Sequence, residues 1–369
     1  MQLIKNMSKN TRSTFITFGL VIVAYAIMQG LSSAGAISSS TQGLLVPITA
    51  YICLTISLNL VVGISGELSL GHAGFMSVGA FSGVVAASLL QGSVGFDPLR
   101  FFLSLAIAGL VAAVAGLLTG IPVMRLHGDY LAIVTLAFGE IIKNLLNNLW
   151  LGLDEYGLHV SMKNANALGL GEGGRILING PQGATGIDRL STFTYGFVLV
   201  LFTLFVVLNL VNSRSGRAIM AVRDNRIAAE SVGISTTKYR LMAFVVSAAL
   251  AGMAGALYAM NYSSIVPKKF DFNTSINILV YVVLGGMGNI RGGIISATVL
   301  TVLPEKLRFL GDFRMLIYAV VLIGVMLVTN SSTIQQFLDG IKDRVRHGKD
   351  DEAATALPDS TAEGGGTHE

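Results

Sequence analysis

The stretch Leu44–Ile64 has the sequence LLVPITAYICLTISLNLVVGI, in which no side chain carries a charge. A helix of roughly 20 apolar residues, rising ~1.5 Å per residue, spans the ~30 Å hydrocarbon core of a bilayer. The run is continuously apolar rather than alternating, so it does not resemble a strand of a membrane barrel. We therefore predict that this stretch is a transmembrane helix.

Similar apolar runs recur along the chain. Of its 369 residues, 52% are hydrophobic and only 12% are charged, and the mean hydropathy is +0.68. A soluble domain has about 25% charged residues. We predict an all-α, polytopic transmembrane helical bundle of about ten spans, with broken or re-entrant glycine-rich segments. The expected spans are Phe15–Met28, Leu44–Ile64, Leu68–Leu90, Phe101–Met124, Tyr130–Trp150, Phe193–Val211, Leu241–Met260, Ile276–Gly288, Gly293–Leu303 and Phe313–Thr329.

The distribution of Lys and Arg predicts the orientation, since cytoplasmic loops carry an excess of both. Loop 212–240 holds six basic and two acidic residues and is expected inside. Both termini are then cytoplasmic, and loop 151–192 is external. We expect a transmembrane domain over 1–330 and a cytoplasmic, mostly disordered tail over 331–369. Ala34-Gly35-Ala36 resembles a signal-peptidase site, but the long preceding apolar run favours a retained first helix.

Several functional classes lack their motifs. The chain contains no G-x-x-x-x-G-K-[ST] phosphate loop, so we do not expect it to hydrolyse ATP. The five histidines show no metal-ligand spacing, and no nucleophile–base pattern is present. The single cysteine, Cys53, lies within an apolar run and is expected to be inert. We predict no catalytic residue, no metal site, no cofactor and no nucleic-acid partner.

The segment Gly63–Gly74 interrupts apolar sequence with glycines and polar side chains. Such backbone is tolerated at membrane depth only inside protein or beside water, and broken helices in transporters bind substrate there. Alternatively, the glycines let helices pack closely, and both interpretations can hold together. The candidate substrate-path residues in this segment are Gly66, Glu67, Ser69, Gly71, His72 and Gly74.

A second interruption, Gly285–Gly293, lies in the other half of the chain. Paired interruptions are typical of internal repeats with a binding site between the halves. We therefore add Gly285 and Gly286 to the candidate path.

The predicted span Tyr130–Trp150 carries charges near mid-membrane. Glu140, Lys143 and Asn144 share one helical face. A central charge costs roughly 2.5–3.5 kcal/mol on insertion, so this face should avoid lipid. Either Glu140 and Lys143 pair to fasten helices together, or Glu140 and Asn144 line a pathway.

Segment Gly216–Ile234 combines small residues with a short helical pattern that ends at Gly233. It could form a compact knob that docks into a partner, or it could be an ordinary positive-inside loop.

Five ordered strings carry a family resemblance. The chain resembles the LivM-type permeases of branched-chain amino acid ABC importers from about Leu44 to Thr329. The strings are GELSLGHAGFMSVG (Gly66–Gly79), GDYLAIVTLAFGEIIK (Gly128–Lys143), GRAIMAVRDNRIAAESVG (Gly216–Gly233), AALAGMAGALY (Ala248–Tyr258) and VLGGMGNIRGG (Val283–Gly293).

The resemblance implies a LivH-type second permease, two cytoplasmic ABC ATPase subunits that use the ATP, and an extracellular or periplasmic substrate-binding protein. It also implies a location in the bacterial cytoplasmic (inner) membrane. Loop 212–240 would then contain the coupling helix. The implied ATPase-coupling residues are Arg217, Arg223, Asp224, Ala228, Ala229, Glu230 and Gly233.

Two features depart from the family pattern. Glu67 stands where many relatives carry glutamine, and loop Asp154–Asn179 is longer than usual.

The expected function is ATP-powered uptake of leucine, isoleucine and valine. Relatives that carry urea or short amides share these motifs, so those substrates remain an alternative. An ion-coupled secondary transporter that uses Glu67 or Glu140 as its ion site is the alternative from another class, and a passive channel is a third. A secondary transporter would need no partner and would transport solute as a single chain in liposomes.

Overall fold

The computed structural model describes residues 9–35, 38–126, 128–154, 157–171 and 174–330. The predicted tail, 331–369, lies outside the described residues. The chain forms two compact units, Met1–Lys306 and Leu307–Glu369. In the second unit, a 3-10 segment over Leu307–Phe313 precedes the last described helix.

The described chain is mainly helical, and ten of its helices overlap the ten predicted spans to within about six residues. The helices are α1 (Lys9–Ser33), α2 (Ser39–Asn59), α3 (His72–Leu89), α4 (Asp97–Val123), α5 (Asp129–Asn147), α6 (Phe193–Asn212), α7 (Arg214–Asp224), α8 (Arg226–Ser231), α9 (Thr236–Ala259), α10 (Phe272–Gly285), α11 (Ile290–Lys306) and α12 (Arg314–Asn330).

Within the described residues, six helices are long and apolar enough to cross a membrane: α1 from Thr14, α2 with its continuation to Ile64, α3, α4, α6 and α9. A membrane helical bundle is thereby confirmed in outline. The total of about ten spans stays a prediction for α5, α10, α11 and α12.

The centre of the bundle is the packing of α9 against α3 and α4. Small residues allow this close approach. A Cβ on Gly79 of α3 would collide with the backbone of Gly252 in α9, and a Cβ on Gly83 would lie 2.5 Å from that of Ala256. Because lipid supplies little hydrophobic drive between helices, such backbone proximity is what stabilises their association.

The helix α2 forms a second layer, packed against α6, α9 and α11. Its residues from Leu45 to Asn59 are almost all buried, which matches its uncharged sequence. Cys53 is completely buried in this layer, at 0% exposure.

A five-stranded antiparallel sheet, which the all-α prediction missed, takes four strands from the loop between α5 and α6 and its fifth strand from the loop between α9 and α10. The strand order is β2-β1-β3-β4-β5. The strands are β1 (Trp150–Asp154), β2 (Gly157–Ser161), β3 (Arg175–Asn179), β4 (Ala184–Thr185) and β5 (Ser264–Ile265). The buried Arg100 at the start of α4 pairs with Asp188 at 3.2 Å, which connects the segment between β4 and α6 to the bundle.

The two ends of the bundle differ. We call α7, α8 and the turn to Gly233 the elbow. It packs on α9 and on the turn that ends α2, which defines the elbow end of the bundle. The sheet lies at the other end, the sheet end, where α4 begins and α5 finishes.

Candidate functional site

The helix α2 breaks where the sequence predicted an interruption. It passes through a π-helical turn, Leu60–Ile64, and the chain stays non-helical until His72. Gly66 has φ +75°, and a Cβ there would lie 2.6 Å from Cγ of Arg223. Both the backbone conformation and the crowding therefore require glycine at this position. Gly66 lies beneath the elbow.

Glu67, expected on the substrate path, forms a buried ion pair with Arg240 at the start of α9. Arg240 Nη2 donates to Glu67 Oε2 at 2.6 Å. Arg240 also donates to the carbonyls of Met124 at 3.3 Å and Leu126 at 3.4 Å, which follow α4. Its side chain is only 3% exposed. One guanidinium thus joins the ends of α2, α4 and α9. From the sequence, Arg240 was one of the six basic residues of loop 212–240 and was given no role of its own.

The residues after Glu67 return into the bundle beside α5. The backbone N–H of Leu70 donates to Thr135 Oγ1 at 3.1 Å, and Gly71 packs on the Thr135 backbone. The hydroxyl of Ser69 is buried, with no hydrogen-bond partner in the described part of the chain. A buried hydroxyl without a partner is costly, and such atoms are found at binding sites.

The start of α3 is buried between neighbouring elements. His72 Nε2 and Ser57 Oγ lie 2.8 Å apart, and the N–H of Ala73 donates to Ser275 Oγ at 3.1 Å. A Cβ on Gly74 would lie 2.9 Å from the Cα of Gly139 in α5. For Gly71 and Gly74 the structure therefore shows close packing, one of the two roles considered for these glycines.

Three charged side chains approach this helix start. Glu140 and Lys143 form an ion pair, as one interpretation of the sequence proposed, but both belong to α5, so the pair itself does not fasten two helices together. Asp271 accepts from the N–H of Thr274 at 2.9 Å and caps α10. A small cavity of about 10 Å³, enough for one water, is lined by Glu140, Asp271 and Gly74 among others. Asn144 lies one turn further along α5 and is exposed.

The pKa of Asp271 lies below its ordinary value of 3.8. Burial alone would raise the pKa, because it disfavours the charged form. Hydrogen bonds from Thr274 and Asn273 outweigh burial, and the nearby charge of Lys143 acts in the same direction. Asp271, which the sequence analysis did not single out, is therefore held as a carboxylate next to the Glu140–Lys143 pair.

The two glycine interruptions meet in space. The N–H of Gly288 donates to Asn59 Oδ1 at 2.8 Å, and a Cβ on Gly63 would collide with Gly288. Gly285, a predicted site residue, packs directly on the backbone of Gly292 and Gly293. Gly286 turns the chain between α10 and α11 with φ +88°. Asn59 was missed, although an amide inside an otherwise apolar span was its available signal.

The elbow contains two short helices joined at Asn225, whose side chain accepts from the N–H of Ala228 at 3.0 Å and caps α8. Arg226 pairs with Glu230 at 2.9 Å, and Glu230 accepts from Thr236 Oγ1 at 2.9 Å. Gly233 ends the elbow with φ +84°, which favours glycine. The elbow is thereby fixed to the first turn of α9.

Arg223 connects the elbow with the break in α2. Its Nη1 donates to the Gly63 carbonyl at 3.2 Å, while its Nε and Nη2 donate to Asp224 at 3.0 and 2.8 Å. Arg217 Nη1 donates to the Asn212 carbonyl at 3.4 Å. Of the two adjacent alanines predicted to matter, Ala228 is exposed and Ala229 is buried.

Two large apolar side chains project from the elbow and were missed by the sequence analysis. Ile227 is 80% exposed and Val232 is 75% exposed. Ile227 lies in the first turn of α8 and Val232 directly after its end, so the elbow exposes large apolar side chains beside the charged Arg226 and Glu230.

A multi-pass helical bundle with two broken segments that meet, and with an elbow fixed to one of them, places the chain in the class of membrane permeases. The sequence pattern of the family described as "Branched-chain amino acid transport system / permease component" matches residues 40–329. The chain belongs to this family, and the resemblance inferred from its five strings is confirmed.

Curated relatives agree with this family. The chain is 38% identical over 271 residues to the high-affinity branched-chain amino acid transport system permease protein LivM of Salmonella typhimurium, which covers 69% of this chain and 59% of that protein. It is 40% identical over 241 residues to the LivM protein of Escherichia coli, covering 61% and 53%. The nucleoside ABC transporter permease protein NupC of Lactococcus lactis is 26% identical over 210 residues, covering 54% and 60%.

The chain thus spans less than two thirds of the length of these curated relatives. No solved structure matches it.

Proposed function

We propose that this chain is the translocating subunit of an ATP-driven importer for leucine, isoleucine and valine in the bacterial cytoplasmic membrane. It would act with a second, LivH-type permease, two cytoplasmic ATPases and an external substrate-binding protein. Family membership and similarity to the two LivM proteins support this proposal. The basic residues of the elbow support a cytoplasmic location of the elbow end in this proposal, by the positive-inside rule.

The observation that carries the proposal is the physical connection from the elbow to the broken helices. Arg223 bonds the elbow to the Gly63 carbonyl, and Asn59 bonds the same break to Gly288. A push on the elbow therefore acts on both interruptions at once. An importer whose ATPase lies on separate subunits needs such a connection between the surface that binds the ATPase and the broken helices beside the solute path.

The exposed apolar side chains of the elbow form the docking surface in this proposal. Ile227 and Val232 are far more exposed than is typical of large apolar residues. Burying such a residue in a groove of the ATPase stabilises the contact by about 1.5–3 kcal/mol.

The solute path in this proposal runs beside the start of α3. Ser69 supplies a buried hydroxyl, and Glu140, Lys143 and Asp271 supply charges of both signs. A zwitterionic amino acid carries one charge of each sign, so it fits this environment better than an uncharged urea. Of the predicted path glycines, Gly71 and Gly74 border this region, whereas Gly66, Gly285 and Gly286 lie nearer the junction beside the elbow.

The test is reconstitution of the complete importer in proteoliposomes, with uptake of leucine and ATP hydrolysis measured together. Ile227→Asp should reduce co-purification of the ATPases and uptake by at least about tenfold, because it places a charge in the apolar contact. Thr237→Asp is the matched control, since it adds the same charge at an exposed position in the first turn of α9. It should leave both measurements unchanged.

Full uptake by the Ile227→Asp importer would overturn the docking assignment. Uptake by the isolated chain, driven by an ion gradient, would replace the importer with a secondary transporter. Competition between leucine and urea for uptake by the complete importer distinguishes the two substrate classes. Stronger competition by urea would overturn the amino-acid assignment.

A further inference from the structure

One side of α5 is polar over the half of the helix that is nearer the sheet end. Glu140, Asn144 and Asn148 follow one another at intervals of four residues, so they lie one above the other on the same side of the helix. We call these three residues the polar stripe. Asn144 and Asn148 are exposed, and the side chain of Glu140 is 35% exposed although it pairs with Lys143. The described part of the bundle therefore leaves the polar stripe uncovered.

The helix α5 is one of the predicted spans, and its surroundings support that prediction. It packs on α3 and α4, two helices that are long and apolar enough to cross a membrane. Tyr130 in its first turn is 72% exposed, and Trp150 follows its end. Aromatic residues of this kind are enriched at both membrane interfaces. Glu140 lies ~15 Å along the axis from Tyr130, and the hydrocarbon core is ~30 Å thick. We therefore place Glu140 near the middle of the membrane.

Lipid is a poor neighbour for the polar stripe, because acyl chains offer no hydrogen bond to a carboxylate or a carboxamide. The exposed side of α4 provides the contrast. Its side chains Leu110, Val114 and Leu118 are 68%, 52% and 68% exposed, and all three are suited to lipid. Water at the depth of the polar stripe would itself need a second wall of protein. The polar stripe therefore requires a protein neighbour, whereas the exposed side of α4 does not.

The charges beside the polar stripe indicate the kind of protein. Glu140 and Lys143 form an ion pair, and Asp271 lines the same small cavity as Glu140. These three side chains carry two negative charges and one positive charge, which leaves one negative charge in excess. A second copy of this chain, related by a twofold axis, would bring the same carboxylates together, and facing like charges are unfavourable. A different membrane subunit with a cation at this place would balance the charge.

We propose that the polar stripe, with Asp271 beside it, is the docking surface for the second permease of the importer, and that this partner places a lysine or an arginine against it. The inference rests on the proposed function, which supplies the second permease. The docking surface borders the proposed solute region, since Glu140 and Asp271 line the cavity next to Gly74. The partner would thus also cover that region from the side of α5.

The experiment uses photo-crosslinking in native membranes that contain the complete importer. The photoreactive amino acid p-benzoylphenylalanine replaces Asn144 in one variant and Leu110 in the other, which is the matched control on the exposed side of α4. Irradiation should crosslink position 144 to the second permease, identified by mass spectrometry, and position 110 should yield no such product. A crosslink from position 144 to a second copy of this chain, or to no protein, would overturn the proposal. Equal yields from the two positions would overturn it too.

Charge substitutions at the same position test the partner's cation. Asn144→Lys should lower the amount of second permease that co-purifies with the tagged chain about tenfold, because the added ammonium group repels the partner's cation. Asn144→Asp should retain the second permease. Equal losses in the two variants would overturn the assignment of a cation to the partner. Protection of the buried Cys53 from maleimide verifies that each variant is folded before it is compared.

These outcomes are distinguishable from a failure of the proposed function. An importer that contains a second permease and takes up leucine, but gives no crosslink to that subunit from position 144, would overturn only the docking surface. Leucine uptake by a preparation without a second permease would overturn the proposed assembly together with this inference.

Discussion

The ion pair between Glu67 and Arg240 allows a quantitative prediction about the elbow end. Glu67→Ala removes the carboxylate that pairs with the guanidinium of Arg240. What remains are two carbonyl acceptors, at 3.3 and 3.4 Å. Removing one partner of a buried pair costs about 3–5 kcal/mol. Because Glu67 is 16% exposed, some water can replace it, and we expect the lower end, about 3 kcal/mol.

The related variants separate charge from shape. Glu67→Gln keeps an acceptor of the same size but loses the charge, so we expect a loss of about 1.5 kcal/mol. In the double variant Glu67→Ala with Arg240→Ala, neither charge is left without its partner. The double variant should therefore be more stable than the sum of the single changes predicts, by about 2 kcal/mol.

Cys53 makes this measurement simple. It is the one cysteine of the chain and is fully buried, so a maleimide that fluoresces on reaction reports unfolding as the temperature rises. Asp129→Ala, which removes an exposed carboxylate at the same end, is the control. Equal shifts of the labelling midpoint by Glu67→Ala and Asp129→Ala, or strict additivity in the double variant, would show that the ion pair does not stabilise this end of the bundle.

Three further predictions concern the connection, the helix packing and the charge near α10. Arg223→Ala should lower leucine transported per ATP hydrolysed about tenfold, through loss of a charged hydrogen bond, without lowering co-purification of the ATPases; an unchanged ratio would remove Arg223 from the connection. Gly79→Ala should lower the free energy of unfolding by about 2 kcal/mol, because its methyl group overpacks against α9. Gly43→Ala is the control: its Cβ meets open space, so it should raise the free energy of unfolding by up to about 1 kcal/mol through helix propensity. Equal midpoints of the two variants in Cys53 labelling would contradict the close packing of α3 on α9. Asp271→Asn should destabilise the chain at neutral pH, because the Asp271 carboxylate stabilises only while it is ionised. The difference in stability between the two chains should vanish as the pH falls below 3.8 and through the lowered pKa of Asp271. A stability difference independent of pH would show that charge is not the cause.

The sequence predicted the helices well because a membrane helix must be apolar over its whole length, and this requirement is visible locally. Leu44–Ile64 illustrates this, since its apolar run and the structural helix end at the same residue. The glycine interruptions were equally visible. The sheet was not, because strands of two to five residues interrupted by glycine leave no sustained alternation.

The contacts of the site could not be predicted from local pattern. Glu67 and Arg240 lie 173 positions apart, and Asn59 and Gly288 lie 229 apart. A single sequence shows that Glu67 carries a charge within a polar break, but it does not show which of the many cations neutralises that charge. For this reason Glu67 was assigned to the path, while its partner passed as an ordinary loop residue.

The junction of Asn59 with Gly288 has a practical consequence for anyone who redesigns this chain. One carboxamide joins two backbone turns from opposite halves of the molecule, and a Cβ at position 63 would collide with Gly288. Lengthening, shortening or grafting either turn on its own would leave the other without its counterpart. Chimeras between related permeases should therefore exchange residues 59–66 and 285–293 as a single cassette, however distant the two segments are in the gene.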